Sequence, residues 1–226
     1  LNEFSIDDIN EYYRTMQMEL PKIDPSTQLS IANSMWYRQT FPIKQTFLDV
    51  NQANFNAYVK GMDFNADWAT DTINNWCSAK TKGLIKTILT EPIPEEAVLY
   101  LINAVYFKGV WCKKFDKDKT YEGEFLNNSN TYVPVNYMSL KDTFSYYNDD
   151  RGEYVDIPYG NKAFSMTIVL PAAGTAIEEM LSSLNGSVLK EIYSNMNNTE
   201  VLVKMPRFKV ESEYVLNNIL KNMGMT

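Results

Sequence analysis

Two asparagines are the residues in this chain whose type and position most need a chemical explanation. Asn103 interrupts the otherwise apolar and aromatic run Ala97 to Phe107, and Asn33 interrupts Leu29 to Tyr37 in the same way. A primary amide has two donors and one acceptor oxygen, so its chemistry is hydrogen bonding between chain segments rather than bond making. Left buried without partners, such a group costs about 1 to 3 kcal/mol, so each must tie its run to something beside it. The runs share a pattern, I-A-N-S-M-W-Y against L-I-N-A-V-Y-F, which predicts neighbouring strands with a common polar level. On that reading Asn33 and Asn103 belong to one network; the alternative is that local backbone satisfies each separately.

Little else in the sequence carries reaction chemistry. The chain has 0 histidines, which removes Ser-His-Asp and Cys-His catalysis and any histidine-ligated metal from within it. Neither a G-x-S-x-G elbow, a P-loop nor a G-x-G-x-x-G fingerprint occurs, so a hydrolase or nucleotide-binding enzyme is not expected. Cys77 and Cys112 lack metal-like or redox-like spacing and read as free, buried or half-buried thiols. The cluster Asn148-Asp149-Asp150-Arg151-Gly152 lacks a calcium-loop pattern and reads as a solvated hairpin turn. Three formal glycosylation triplets, beginning at Asn127, Asn185 and Asn197, are expected by chance in so asparagine-rich a chain. No cofactor and no metal are implied.

Composition bounds the rest. Across 226 residues the 45% hydrophobic content supports a sizeable core. The balance of 21 basic against 28 acidic residues gives a net charge of -7 without a basic run, which argues against a nucleic-acid partner. No apolar stretch is long enough to span a membrane, and the first residues, Leu1-Asn2-Glu3, do not read as a signal sequence.

The elements that must position the amides follow in order. Ser5 with Asp8 forms a capping-box pattern, and Ile6, Ile9, Tyr13, Met16 and Leu20 recur at helical spacing until Pro21. Leu29 to Tyr37 is a strand, and Pro42 through Tyr58 predicts a second helix ending near Gly61, with a short strand at Met62 to Phe64. A third helix, capped by Asn65 or Asp67, shows a narrow apolar stripe of Ala69, Ile73 and Trp76 and breaks at Gly83. Such a helix lies on a sheet rather than inside a core, and a thinly anchored one can move. Ala97 to Phe107 is continuous enough to predict a strand covered on both faces, turning on Gly109 into a second sheet. Thr120 to Phe125, Tyr132 to Met138, Thr143 to Tyr147, Tyr154 to Pro158, Phe164 to Leu170 and Val201 to Met205 read as further strands, the last extended through Arg207 to Val210. Two short helices, Ile177 to Leu184 and Val188 to Asn195, precede a final helix, Tyr214 to Met223. Strands and helices are mixed without regular alternation, so the fold class is α+β: one mixed domain with more than one sheet.

Several stretches together resemble the serpin family. They are Ile73-Asn74-x-Trp76 with Thr81-x-Gly83-x-Ile85; the run Leu101 to Gly109 with Trp111; Phe115 and Thr120; Val133-x-Val135-x-x-Met138; Pro158-Tyr159; Ser165-Met166-x-Ile168-x-Leu170-Pro171; Pro206-x-Phe208; and Leu220-x-x-Met223-Gly224-Met225. They fall in family order across most of the chain. The resemblance implies a serpin-like fold with a mixed central sheet, smaller antiparallel sheets and covering helices, incomplete here as a partial single domain over residues 1–226. It places Leu29 to Tyr37 and Ala97 to Phe107 in the central sheet and the Ile73–Trp76 helix across it.

The resemblance also implies a function: protease inhibition by cleavage of a reactive loop that inserts as a strand beside the one holding Asn103. Serpins are the standing example of such strand addition. A dozen new backbone hydrogen bonds at about 0.5 to 1.5 kcal/mol each would release on the order of 10 kcal/mol. On this reading Asn33 and Asn103 sit where the central sheet parts, Trp111 packs where insertion begins, and Arg207 occupies a position where relatives carry a basic residue pairing with an acid at the loop's base. Ile73 and Trp76 anchor the helix that must lift. Packing alone also accounts for Trp111, Trp76 and Ile73. The reactive bond is expected beyond Thr226 and the first helices before Leu1, so the chain reads as the middle of a serpin. The implied partners are a target protease, of serine type, and the remaining serpin segments. An extracellular or periplasmic location is expected, with the cytoplasm as the alternative. A non-inhibitory serpin with a binding, storage or chaperone-like role is the competing function, and an assembly piece without activity of its own is a third.

Overall fold

The computed structural model describes residues 4–127, 129, 131–209 and 214–224. Asn128 of the first glycosylation triplet, Val210 of the expected extended run and Met225 of the last family stretch lie outside the described residues. Contacts gather into two compact units, one formed by residues 1–115 and 140–203 and the other by 116–139 and 204–226.

The larger unit opens with α1 (Ile6–Glu19), started by the expected capping box: the Asp8 N–H donates to Ser5 Oγ and the Ser5 N–H to the Asp8 carboxylate, each at 3.1 Å. β1 (Gln28–Arg38) follows, then α2 (Gln45–Phe55), β2 (Tyr58–Met62), α3 (Ala69–Lys80) and β3 (Leu99–Lys108). β1 is central in a three-stranded sheet of order β2-β1-β3. It runs parallel to β2, from Ser34 opposite Tyr58 to Arg38 opposite Met62, and antiparallel to β3, from Gln28 opposite Lys108 to Tyr37 opposite Leu99.

Local chemistry moves three predicted boundaries. The second helix stops not near Gly61 but at Asn56, which takes the left-handed conformation (φ 46°, ψ 35°) that asparagine tolerates better than most residues. The strand expected at Met62 to Phe64 therefore begins earlier, and Gly61 lies inside it because a Cβ there would sit 2.7 Å from the Tyr37 ring. Neither Asn65 nor Asp67 caps α3; Trp68 precedes it without a side-chain hydrogen bond.

Successive residues of a strand face opposite sides, and the two faces of this sheet are covered differently. On one side Trp36 and Ile102 join Ile73 and Ala69 of α3, with Met62, Phe64 and Ile93, in a single buried cluster. On the other side Asn33 faces α1 and α2. Here β3 overturns the expectation of a doubly covered strand: Ile102, Ala104 and Tyr106 are buried, while Leu101, Val105 and Phe107 remain 41% to 53% exposed. β3 stands at the end of the sheet, and α1 and α2 leave its odd-numbered face largely uncovered among the described residues.

The larger unit also holds the second half of β5 (Tyr132–Asp149), paired to β6 (Gly152–Pro158), which pairs to β7 (Ser165–Pro171), all antiparallel. Two separate strands were expected where β5 is one continuous 18-residue strand. Its polar middle does not break it: β5 has partner strands in β4 (Tyr121–Leu126), β6 and β8 (Asn197–Pro206), and the charges stay at the surface, Asp142 paired with Lys113 and Lys141 with Glu200. The acidic cluster forms the β5–β6 turn, as expected, but is held from within: Asp149 accepts from the Arg151 backbone N–H at 2.9 Å and pairs with its guanidinium. α4 (Ile177–Ser183) and α5 (Gly186–Asn195) bury Met180 and Ile192 against Tyr154.

In the smaller unit β4 (Tyr121–Leu126) pairs antiparallel with the first part of β5, from Tyr121 opposite Tyr137 to Leu126 opposite Tyr132. β8 (Asn197–Pro206), whose residues 197–203 belong to the larger unit and 204–206 to the smaller, also pairs with β5. The last helix, α6 (Asn217–Asn222), is shorter than the expected Tyr214 to Met223.

Ile73 is fully buried between α3 and the sheet. Ile73→Ala is expected to lower unfolding stability by about 2 to 5 kcal/mol, measured by urea titration.

Candidate functional site

The antiparallel register sets Asn33 directly opposite Asn103. Asn103 Nδ2 donates to Asn33 Oδ1 at 2.8 Å, and Asn33 Nδ2 donates onward to Gln17 Oε1 of α1 at 3.0 Å and to the Phe55 carbonyl, the last residue of α2, at 2.8 Å. The two amides therefore form one network, and local backbone does not satisfy each on its own. Its centre is Asn33, a half-buried side chain that ties a strand to two helices; Asn103 is exposed and hangs from it by one bond. Gln17 was missed by sequence reasoning because nothing in α1's helical pattern distinguishes it from other exposed polar positions.

Beyond Gly109 the chain reaches the second sheet as an isolated antiparallel bridge, Trp111 to Tyr159 just after β6, and not as a further strand among the described residues. The indole of Trp111 stacks on the Tyr159 ring, with centroids 4.3 Å apart and planes 10° from parallel, and its other neighbour is Phe115 at 6.0 Å. Tyr159 continues edge-on to Phe107 at 5.1 Å. Gly109 is required by this packing, since a Cβ would lie 2.7 Å from the Tyr159 ring. Two backbone bonds hold the segment, Cys112 N–H to the Pro158 carbonyl at 2.9 Å and Gly160 N–H to the Val110 carbonyl at 2.8 Å.

Beside Trp111 is a clasp that the sequence did not announce. Asp24, 1% exposed, accepts from the Ser26 hydroxyl at 2.7 Å, the Ser26 N–H at 2.9 Å, the Thr27 hydroxyl at 2.9 Å and the Asn161 N–H at 3.2 Å. Asn161 Nδ2 returns a bond to the Ile23 carbonyl at 2.9 Å. Gly160 sits against it at φ 38°, where a Cβ would fall 2.0 Å from the Asp24 carboxylate. The Ser26 hydroxyl, with further help from the Ser26, Thr27 and Asn161 donors, holds the Asp24 carboxyl below its ordinary range against the opposing effect of desolvation. The one available signal was Asp24-Pro25-Ser26-Thr27, a composition typical of a side-chain-capped turn.

Ile73 and Trp76 lie on α3 across the opposite face of the sheet. Trp76 meets Trp36 edge-on at 6.1 Å and packs against the Ile73 cluster, and its Nε1 is buried with no acceptor among the described residues. Cys77, one position on, is a buried free thiol pushed up by desolvation, and Cys112 is a half-buried free thiol. Arg207 belongs to the smaller unit, where its backbone N–H donates to the Asn136 carbonyl at 2.8 Å in a shallow concavity shared with Pro134, Phe208 and Lys209. The structure thus brings Asn33 and Asn103 into contact and places Trp111, Ile73 and Trp76 in the same unit; Arg207 is in the other.

The family model described as Serpin (serine protease inhibitor) matches residues 1–226. The chain belongs to the serpin family. It is 31% identical over 225 residues to Iripin-1 of Ixodes ricinus, covering 98% of this chain and 57% of that protein. With Intracellular coagulation inhibitor 1 of Tachypleus tridentatus it shares 36% identity over 205 residues, 88% of this chain and 49% of that protein. The solved native state of Tengpin, a thermophilic serpin, matches with a TM-score of 0.92 at 29% identity, covering 100% of this chain and 58% of that one. The chain therefore spans about half to three fifths of the length of the relatives it matches. Among the described residues of this serpin, no helix is long and apolar enough to cross a membrane.

Asn33→Ala unties β1 from two helices and is expected to lower stability by about 1 to 3 kcal/mol, while Asn103→Ala, removing one exposed bond, lowers it by about 0.5 to 1.5 kcal/mol; a double-mutant cycle in denaturant reads their coupling. For Asp24, a folded pKa below the unfolded one means that its stabilisation is present above the ordinary carboxylate range and is lost as pH falls through the folded value. Asp24→Asn is therefore expected to flatten the acid limb of a melting-temperature-against-pH curve.

Proposed function

We propose that the protein of which this chain forms part inhibits a protease, of serine type, by cleavage of a reactive loop and its insertion as a strand beside β3. One observation carries the reading: β3 ends the three-stranded sheet, and its outer backbone edge pairs with no strand among the described residues. An unpaired strand edge is a template for another strand. Family membership supports the same reading, as does a relative whose own name is that of a coagulation inhibitor.

Within this proposal the named residues take distinct roles. Asn33 and Asn103 hold the level at which the sheet parts. Trp111, stacked on Tyr159, lies at the end of the edge strand where insertion starts, and the Asp24 clasp fixes the loops beside it. Ile73 and Trp76 anchor α3 over the opposite face. Arg207 pairs with an acid at the base of the reactive loop, and the loop and its scissile bond are supplied from outside this sequence. We take residues 1–226 as a partial single serpin domain whose partners are the target protease and the remaining serpin segments. On location, the name of the Tachypleus relative and the two free thiols support the cytoplasm as much as the extracellular or periplasmic space.

The full-length protein incubated with a panel of serine and cysteine proteases is expected to give a detergent-resistant complex at the summed mass. Cleaved product alone, with every protease, would replace inhibition by a binding, storage or chaperone-like role.

A further inference from the structure

The excursion that carries α3 leaves the sheet after β2 and returns at β3, spanning residues 63–98. Its parts are bound to each other through one side chain of α3. Asn74 of α3 accepts from the Ile88 and Leu89 N–H groups at 2.9 Å each and donates to the Leu89 carbonyl at 2.9 Å. These bonds make the helix and the first half of its return strap one body, seated on the sheet largely by apolar packing; at its far end Lys82 adds one exposed bond to Gln28 of β1, at 2.5 Å, and lies over the Tyr106 ring of β3.

One side chain of the sheet closes the excursion at its base. Arg38, the last residue of β1, donates from Nη1 to Asn65 Oδ1 at 2.9 Å on the outgoing limb. On the returning limb it donates from Nη2 to the Pro94 carbonyl at 3.1 Å and from Nε to the Ala97 carbonyl at 3.0 Å. Its guanidinium also lies over the Phe64 ring, 5.2 Å from the centroid. All three guanidinium nitrogens are used, two limbs far apart in sequence are joined, and the acceptors are a side-chain amide and two backbone carbonyls rather than carboxylates. A planar fork of fixed donors fits this set; a lysine ammonium, a point charge on a flexible stem, does not.

We propose that Arg38 is a clasp that holds α3 and its strap as a lid on the three-stranded sheet, and that opening this clasp is the step that frees α3 to lift. The bonds themselves are features of the fold. Their regulatory meaning rests on the strand-insertion reading above, because only then must α3 leave the sheet. Arg38 is a positioning residue: it touches neither the inserting edge nor the amide pair, and it acts through the helix it restrains.

Hydrogen exchange on the full-length protein, without protease, tests the clasp. In Arg38→Lys, amides of residues 69–80 and 84–98 are expected to exchange at least about tenfold faster than in the wild type, while residues 152–158 and 165–171 stay within about twofold, the signature of local rather than global opening. Unchanged exchange in α3 and the strap, or an equal rise everywhere, overturns the proposal. Asn74→Ala separates the two attachments: it should release residues 88–89 and leave 69–80 protected, and release of α3 as large as in Arg38→Lys would move the restraint away from Arg38 and overturn it. With protease present, Arg38→Lys is expected to raise the rate of complex formation about two- to tenfold. A wild-type protein that forms no complex would remove the inhibitory reading, and the exchange measurements would still decide the clasp.

Discussion

The antiparallel pairing of β1 with β3 in a single register is the constraint on which the rest of the larger unit depends. A slip of one residue would turn every side chain of β3 to the other face, because strand side chains alternate with period two. In the register observed, Ser34 and Trp36 stand opposite Ile102 and Tyr100 beneath α3, and Asn33 stands opposite Asn103 on the side of α1 and α2. The same pairing therefore sets the apolar seat of one helix and the polar anchor of two others. Gln17 and the Phe55 carbonyl reach Asn33 only while that register holds.

The two faces of the sheet are held by different physics. On the α3 side, attachment is mostly dispersion and area burial, with Ile73, Trp36 and Ile102 in one cluster and directional side-chain bonds at the margins, Arg38 at one end and Lys82 to Gln28 at the other. On the other side the amide network is central and directional. Apolar contact falls away gradually as surfaces separate, whereas hydrogen bonds are lost abruptly with angle and distance. The force holding α3 to the sheet therefore falls off more gradually with separation than the one holding α1 and α2. At the Trp111 end, stacking on Tyr159 and the buried Asp24 carboxylate keep neighbouring loops in place through contacts that need close approach, which is why Gly109 and Gly160 carry no side chain.

Much of this was legible in the residues. The repeated I-A-N-S-M-W-Y and L-I-N-A-V-Y-F patterns gave away two adjacent strands and their shared amides, since a lone amide in an apolar run must find its hydrogen-bond partner in a neighbouring segment. The Ser5–Asp8 box marked the start of α1 to the residue, because capping is a local interaction. The stripe of Ala69, Ile73 and Trp76 identified a helix lying on a sheet. Other features were misread for physical reasons. Leu101, Val105 and Phe107 suggested a strand covered twice, but apolarity shows what a residue tolerates and not what lies opposite it. Tyr132 to Met138 and Thr143 to Tyr147 read as two strands because the residues between them are polar, but polarity marks an exposed stretch and not the end of a backbone ladder. Gly61 resembled a helix terminator, and its role is to make room for Tyr37.

The sequence by itself determined the local and periodic features: the capped α1, the apolar face of α3, the strand character around the two asparagines, the absence of histidine chemistry, and a family pattern spread in order along the chain. Only the tertiary structure decided which groups meet. Asp24 with Asn161, Arg38 with Pro94 and Ala97, and Asn33 with Gln17 and Phe55 are contacts between segments remote in the chain. Hydrogen-bond donors and acceptors are common along any chain, and which pairs form depends on where packing brings them. The edge of β3 is of the same kind: strand propensity is written in Leu99–Lys108, but whether its outer backbone is paired depends on the strands that assemble beside it.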